Sequence, residues 1–301
     1  MKMFRIFFKI IKWTIGVFVG LFFSILIYFE IKEIPIYDIN LAYKFISGNS
    51  QYSQYEGIIE KLGYNKNDKL LIIHADDIGL SKSVNKASFL ALKEGFVNSG
   101  SIMMPCENID EVGKFAKENP NIDLGLHLTV TSEWRDYKWD GVAISSEIPS
   151  MIDENGNLFE NKKKFTLNAN PEDLKKELQS QIDLAKSMGI NPTHVDTHMG
   201  SLAVNKNLWR EYIEVAHENK LVSMVTKLWG MSLFDDDFPM PEYIVPVDDI
   251  YMLYPESDRE FVESVVGKEM ADQIITYKPY DYQSWFNLYS SKIKSLQPGL
   301  N

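Results

Sequence analysis

Two adjacent aspartates, Asp76 and Asp77, directly follow the apolar run Leu70–Ala75 (LLIIHA) and precede Ile78-Gly79. His127 sits among apolar neighbours in GLHLTV, and His194, Asp196 and His198 alternate along THVDTH. Each signal alone is weak. Paired aspartates often just cap a helix, and a lone histidine in an apolar run is usually a core residue. Their joint weight comes from the residue types: a carboxylate and two imidazoles, with coordination positions left open, suit zinc or another divalent ion of the hydrolytic kind. Such an ion brings the pKa of water down to about 7, and a second carboxylate can take the proton. Adjacent aspartates at a tight turn can divide those tasks, one facing the ion and the other the water.

These residues need a scaffold that gathers strand ends. Leu70–Ala75 reads as a short buried strand, with Asp76–Gly79 as the turn that ends it. Ser81 is placed to cap a helix running to about Glu94, with Gly95 as its stop. Ser101–Met104 and Leu124–Val130 read as further strands. Pro171 opens a helix that carries Leu174, Leu178, Ile182 and Ala185 on one face and ends at Gly189. Thr193–Thr197, a helix over Asn207–His217 and a strand over Val222–Thr226 complete the alternation. Strand–helix repetition of this kind predicts a parallel α/β architecture, barrel or doubly wound, with its site at the carboxyl ends of the strands.

The 301 residues carry a net charge of −11, which argues against nucleic acid as a partner. The single cysteine, Cys106, excludes an internal disulfide framework and any multi-cysteine metal site, and reads as an inert small residue. Lys2, Arg5, Lys9 and Lys12 precede an uncharged stretch from Trp13 to Phe29. Without those four cations the rest holds 27 positive and 42 negative residues, a balance of −15. A stretch of this length and polarity predicts an uncleaved, single-pass transmembrane signal anchor. The positive-inside rule then puts the N-terminus in the cytoplasm and the remainder outside it. The expected organisation is a tip and anchor over residues 1–32, a juxtamembrane spacer over 33–68 with a short helix at Ile39–Phe45 capped by Asp38, and a globular unit over 69–301. Between Glu133 and Phe165 a polar stretch with Trp134, Tyr137 and Trp139 reads as a lid over the site, or as a small apolar satellite under a loop. Asp235, Asp236 and Asp237 lack the spacing of a calcium loop and read as a solvated acidic turn.

LLIIHADDIGLS, GLHLTVT and PTHVDTHMGSL resemble, in order and spacing, three motifs of the YdjC-like carbohydrate deacetylases, the family that includes chitooligosaccharide deacetylases. The resemblance covers about Leu70 to Thr226 well. It implies a TIM-barrel-like (β/α) fold, a divalent metal (zinc or magnesium) and hydrolysis of an N-acetyl group from an amino-sugar-containing oligosaccharide or envelope glycan. By position, Asp77 looks like the metal carboxylate, His127 and His198 like the imidazole ligands, and Asp76 like the catalytic base. His194 and Asp196 fall in the third motif as residues that orient the ligands, and Trp134 and Trp139 as candidate substrate contacts. Family members commonly continue to a late His-Pro motif whose histidine protonates the leaving amine. Here the only histidine after His198 is His217, on a predicted helix, so the barrel is expected to lack its last strand or strands. Two other readings remain open: a different metal-dependent hydrolase on the same scaffold, and a membrane-tethered glycan-binding domain without activity.

Overall fold

The computed structural model of the chain describes residues 58–203, 205–226, 244–247, 282–296 and 298–300, together with Gly16, Gly20, Phe22, Phe23 and Ser24 of an N-terminal helix. Its strands are β1 (Lys69–Leu70), β2 (His74–Ile78), β3 (Ser99–Ile102), β4 (Leu124–Leu128), β5 (His194–Thr197), β6 (Val222–Thr226), β7 (Ile244–Val247) and β8 (Gly299–Leu300). The helices are α1 (Ile58–Lys61), α2 (Lys82–Lys93), α3 (Ile109–Glu118), α4 (Lys162–Asn168), α5 (Pro171–Ser187), α6 (Lys206–Glu218) and α7 (Tyr282–Ser295). Strands β2 to β7 form one parallel sheet in sequence order. Each strand thus lies beside the next, the order in which a (β/α) barrel winds. Among the described residues the sheet does not close: β2 and β7 are its two edges, and β1 pairs separately with β8.

The helices form where their ends are satisfied and one face can be buried. Ser81 caps α2 by accepting the Val84 N–H at 3.2 Å, and Gly95, at φ 72°, follows its end. Asn170 caps α5 and Pro171 sits in its first turn. Leu174, Leu178, Ile182 and Ala185 of α5 are fully buried, the face that the sequence periodicity predicts. Burying a Leu or Ile side chain contributes about 1.5–3 kcal/mol, so this face alone secures the helix to the sheet. Trp209 and Tyr212 of α6 pack at a ring separation of 4.8 Å, and the Tyr212 hydroxyl donates to the carbonyls of Val195 and Met224.

Three expectations need correction. The predicted buried strand over Leu70–Ala75 is broken in two, with residues 71–73 outside any strand and Ile72 and Ile73 exposed. The cause is Asn98, whose side chain accepts from the Ile73 N–H at 2.8 Å and donates to the Leu71 carbonyl at 3.1 Å, replacing ladder bonds. The pair Asp76-Asp77 consequently lies inside β2 rather than after it. The last strand or strands were expected to be missing, yet Gly299–Leu300 near the end of the chain forms β8, which pairs in parallel with β1.

The third correction concerns the membrane. A bilayer span requires about 20 consecutive apolar helical residues. Among the described residues no helix is long and apolar enough to cross a membrane. The expected single-pass anchor over residues 1–32, and with it the extracytoplasmic placement of the globular unit, is therefore not supported by the described residues. Most of residues 1–32, the predicted helix at Ile39–Phe45 and the acidic turn Asp235–Asp237 lie outside the described residues.

Candidate metal centre

Strand alternation explains most of the site. His74 and Asp76 are two apart on β2 and share a face, as do His194 and Asp196 on β5. Asp77 has the opposite parity and would point away from them in a regular strand. The β2–β3 register shifts between Ala75 and Ile78, and Asp77 adopts φ 58°. A left-handed backbone at a residue other than glycine costs about 1–2 kcal/mol. The bulge and that conformation bring the Asp77 carboxylate to within 3.4 Å of His127 and 3.3 Å of His198. Gly79, at φ 100°, completes the reversal, and its N–H donates to the buried Asn85 side chain at 2.7 Å.

The register of β4 on β5 sets His127 directly opposite Asp196. His127 Nδ1 donates to Asp196 Oδ1 at 2.7 Å, which leaves Nε2 facing Asp77. His198 mirrors this arrangement: its Nε2 donates to Glu133 Oε1 at 2.9 Å, and its Nδ1 faces Asp77. Each imidazole therefore has one nitrogen tied to a carboxylate and the other aimed at a shared point. Asp77 Oδ1 and His198 Nδ1 are buried and make no hydrogen bond. Leaving such atoms unmatched costs about 1–3 kcal/mol each unless something else takes them up. A cation does so, and the donor set of one carboxylate oxygen and two imidazole nitrogens fits a divalent ion. These three ligand atoms lie within 4.8 Å of one another.

A second group, His74, Asp76 and Asp196, meets the same distance criterion. Here no buried polar side-chain atom is left without a hydrogen bond. Asp196 Oδ2 accepts from Ser101 Oγ at 2.9 Å and lies 3.2 Å from His74 Nε2, which is also 3.0 Å from Ser101 Oγ. Asp76 Oδ1 lies 3.4 Å from the same His74 nitrogen, and its side chain is 57% exposed.

The charges follow from these contacts. Burial opposes ionisation of Asp77 and Asp196, but His198 and His127 hold the Asp77 carboxyl below its ordinary value, and His127 and His74 hold that of Asp196 far below it. Burial likewise opposes a charged His127, and Asp196 overrides it, raising that pKa. Asp76 is raised, first by desolvation and then by the neighbouring Asp196 and Asp77 carboxylates against the pull of His127 and His74. Burial raises the Cys106 thiol to about 12, which fits an unreactive residue.

The structure thus brings Asp76, Asp77, His127, Asp196 and His198 together. His194 lies deeper. Its ring is 5.2 Å from that of His74 and packs against Gly125, where any Cβ would collide with it. Trp139 is buried, 6.2 Å from the His198 ring, and its indole N–H donates to the Thr131 carbonyl. Trp134 is half exposed and meets Tyr137 edge-on at 6.4 Å. Sequence reasoning missed His74, Ser101 and Glu133. The signal for His74 was its two-residue spacing from Asp76, and for Glu133 its place immediately after GLHLTVTS.

A parallel α/β scaffold with a buried carboxylate–imidazole cluster at its carboxyl strand ends has the layout of an α/β enzyme, with a donor set that could hold a metal ion. A family model described as YdjC-like protein matches residues 70–265, and the chain belongs to that family. A carbohydrate deacetylase of Clostridium beijerinckii is 28% identical over 62% of this chain and 72% of the relative. One from Brevibacillus brevis is 34% identical over 42% of this chain, and that match spans about half of the relative, 48%. Among solved structures, a putative cellobiose-phosphate cleavage protein from Enterococcus faecalis superposes with a TM-score of 0.51 at 24% identity, covering 67% of this chain and 77% of the other. That likeness concerns the fold.

Proposed function

We propose that this chain is a metal-dependent carbohydrate deacetylase that hydrolyses the N-acetyl group of an amino-sugar-containing carbohydrate, an oligosaccharide or an envelope glycan. Support comes from the family and its deacetylase relatives. The observation that carries the reading is the pair of buried, unmatched atoms on Asp77 and His198 facing His127. In this reading Asp77, His127 and His198 hold a divalent ion, zinc or magnesium, and the working unit begins at Lys69. The ion supplies Lewis-acid chemistry there, polarising the amide carbonyl and acidifying water.

The side chains do the rest. Asp76 reaches solvent beside the ligands, and its raised pKa makes it a stronger base than an ordinary aspartate, so it accepts the proton of the attacking water. His74 borders Asp76 and keeps it turned toward the cluster. Asp196 holds His127 by Nδ1, with Nε2 turned toward Asp77. Trp139 closes the dry side of His198, while exposed Trp134 offers a ring to a sugar face. The test is acetate release from N-acetylglucosamine and its short β-linked oligomers, with zinc, magnesium, manganese or cobalt added. Release with at least one metal, abolished by chelator, is the expected result. Intact, sugar-binding protein that releases no acetate with any metal overturns the reading.

A further inference from the structure

The carboxylates behind the two imidazoles come from different places. Asp196 belongs to β5, in the middle of the sheet. Glu133 belongs to the irregular segment after β4, which runs over residues 129–161 before α4. That segment is anchored at defined points. The Val142 and Ala143 N–H groups both donate to the buried carboxylate of Glu177 on α5, each at 2.9 Å. Ser132 N–H donates to the Phe159 carbonyl at 2.8 Å, closing the loop on itself. Thr131 Oγ1 meets Ser201 Oγ, just beyond His198, at 3.1 Å. Between these anchors Glu133 turns inward. One oxygen holds His198 Nε2, and the other is buried without a hydrogen bond, so nothing else recruits this carboxylate.

We infer that Glu133 is a positioning residue that couples the order of the segment after β4 to metal affinity, by fixing His198 with its Nδ1 free for the ion. The inference rests on the metal reading proposed above. An imidazole can present either nitrogen, and only the carboxylate on Nε2 commits His198 to the tautomer and ring angle that point Nδ1 at Asp77. His127 receives the same service from a strand, whose geometry is fixed by the sheet. His198 receives it from a loop, whose order depends on its anchors. Coupling between binding events is reciprocal, so a metal held by His198 stabilises the seated position of Glu133, and an unseated Glu133 weakens the metal. The strong tie sits in the scaffold and the adjustable tie in the segment next to the substrate-facing ring of Trp134.

The experiment uses the full chain with zinc as the probe. Zinc affinity is measured by chelator competition in the wild type, Glu133→Gln and Glu133→Ala, with apo melting temperature as the folding control. Amide hydrogen exchange over residues 131–143 is compared with and without zinc. Glu133→Ala is expected to weaken zinc by about 10–100-fold, the range for loss of an outer carboxylate on a metal-bound histidine. Glu133→Gln, whose amide oxygen still accepts from Nε2–H, is expected to recover part of that loss. Zinc should slow exchange over 131–143 in the wild type and leave it unchanged in Glu133→Ala. Equal zinc affinity in all three proteins, or zinc-induced protection that persists in Glu133→Ala, overturns the coupling while leaving the metal site standing. A wild-type chain that binds no zinc, magnesium, manganese or cobalt overturns the metal reading itself.

Discussion

Asp77, His127 and His198 on one side, and His74, Asp76 and Asp196 on the other, use the same two residue types in one sheet and meet the same distance criterion. They differ in which atoms are already matched. In the first group Asp77 Oδ1 and His198 Nδ1 are buried with no hydrogen bond. In the second, Asp196 accepts from His127 and Ser101 and borders His74, so its buried carboxylate is saturated by protein donors. A cluster that completes itself has little to gain from a cation, whereas one that leaves buried polar atoms without hydrogen bonds would be stabilised by an ion that takes them up. Proximity alone would score the two alike. Accounting for every donor and acceptor separates the proposed metal site from the frame around it.

The largest effect should come from the unmatched group. His198→Ala removes a ligand, and the protein is expected to lose its metal and all acetate release, with the metal loss exceeding the roughly 10–100-fold caused by removing an outer support. Metal analysis of the purified protein checks this, together with the stoichiometry: one equivalent per chain fits the comparison, and two would break it. Asp76→Asn should act on chemistry and spare the metal. Replacing a general base by its amide is expected to lower kcat by about 100- to 10,000-fold. Zinc content should stay at one equivalent, and its loss would move Asp76 into the ligand set.

Much of this cluster is legible in the residue order itself, because alternation along a strand is a strict rule. THVDTH places His194, Asp196 and His198 on one parity, and strand–helix repetition predicts that parallel strands bring their carboxyl ends together. The helix over Pro171–Ser187 and the strand over Val222–Thr226 are equally legible from a proline-led apolar face and a β-branched run. What escapes are the places where a distant or conformational cause overrides periodicity. The side chain of Asn98 breaks the first apolar run from 25 residues away, and no local pattern encodes that. Asp77 turns toward the ligands only through a bulge and a left-handed φ. His74 is hidden in LLIIHA because a strand taken to end at Ala75 has no reason to carry a polar group inward. His194 shares its parity with Asp196 and His198 but enters the interior one step lower, beside Gly125 and His74. Parity fixes the face and leaves the depth open.

Smaller effects probe the frame. Asp196→Ala removes the acceptor behind His127 and is expected to weaken metal by about 10–100-fold with the ligands still in place. Chelator competition measures it. A loss as complete as that of His198→Ala would mean that Asp196 binds the ion directly and that the two groups are one.

The smallest and most discriminating change is Ser101→Ala. Ser101 Oγ donates to Asp196 Oδ2 and lies within reach of His74 Nε2 and, at 3.3 Å, of His127 Nδ1. It is fully buried on β3, and its hydrogen bonds go to His74, His127 and Asp196 rather than to Asp77, His198 or Asp76. If the second group is a frame, deleting the hydroxyl removes one hydrogen bond among several. The expected cost is about 0.5–1.5 kcal/mol of stability, read from denaturant unfolding of the apo protein. Asp196 keeps His127 and His74, so zinc affinity and stoichiometry should stay within about twofold of the wild type, far short of the roughly 10–100-fold that follows from losing an outer carboxylate. If the second group instead carries an ion of its own, the hydroxyl competes with that ion for Asp196 and His74. Removing it would then raise the second equivalent of metal bound, at little cost to folding. The sign of the change in metal stoichiometry decides which description of the inner cluster holds.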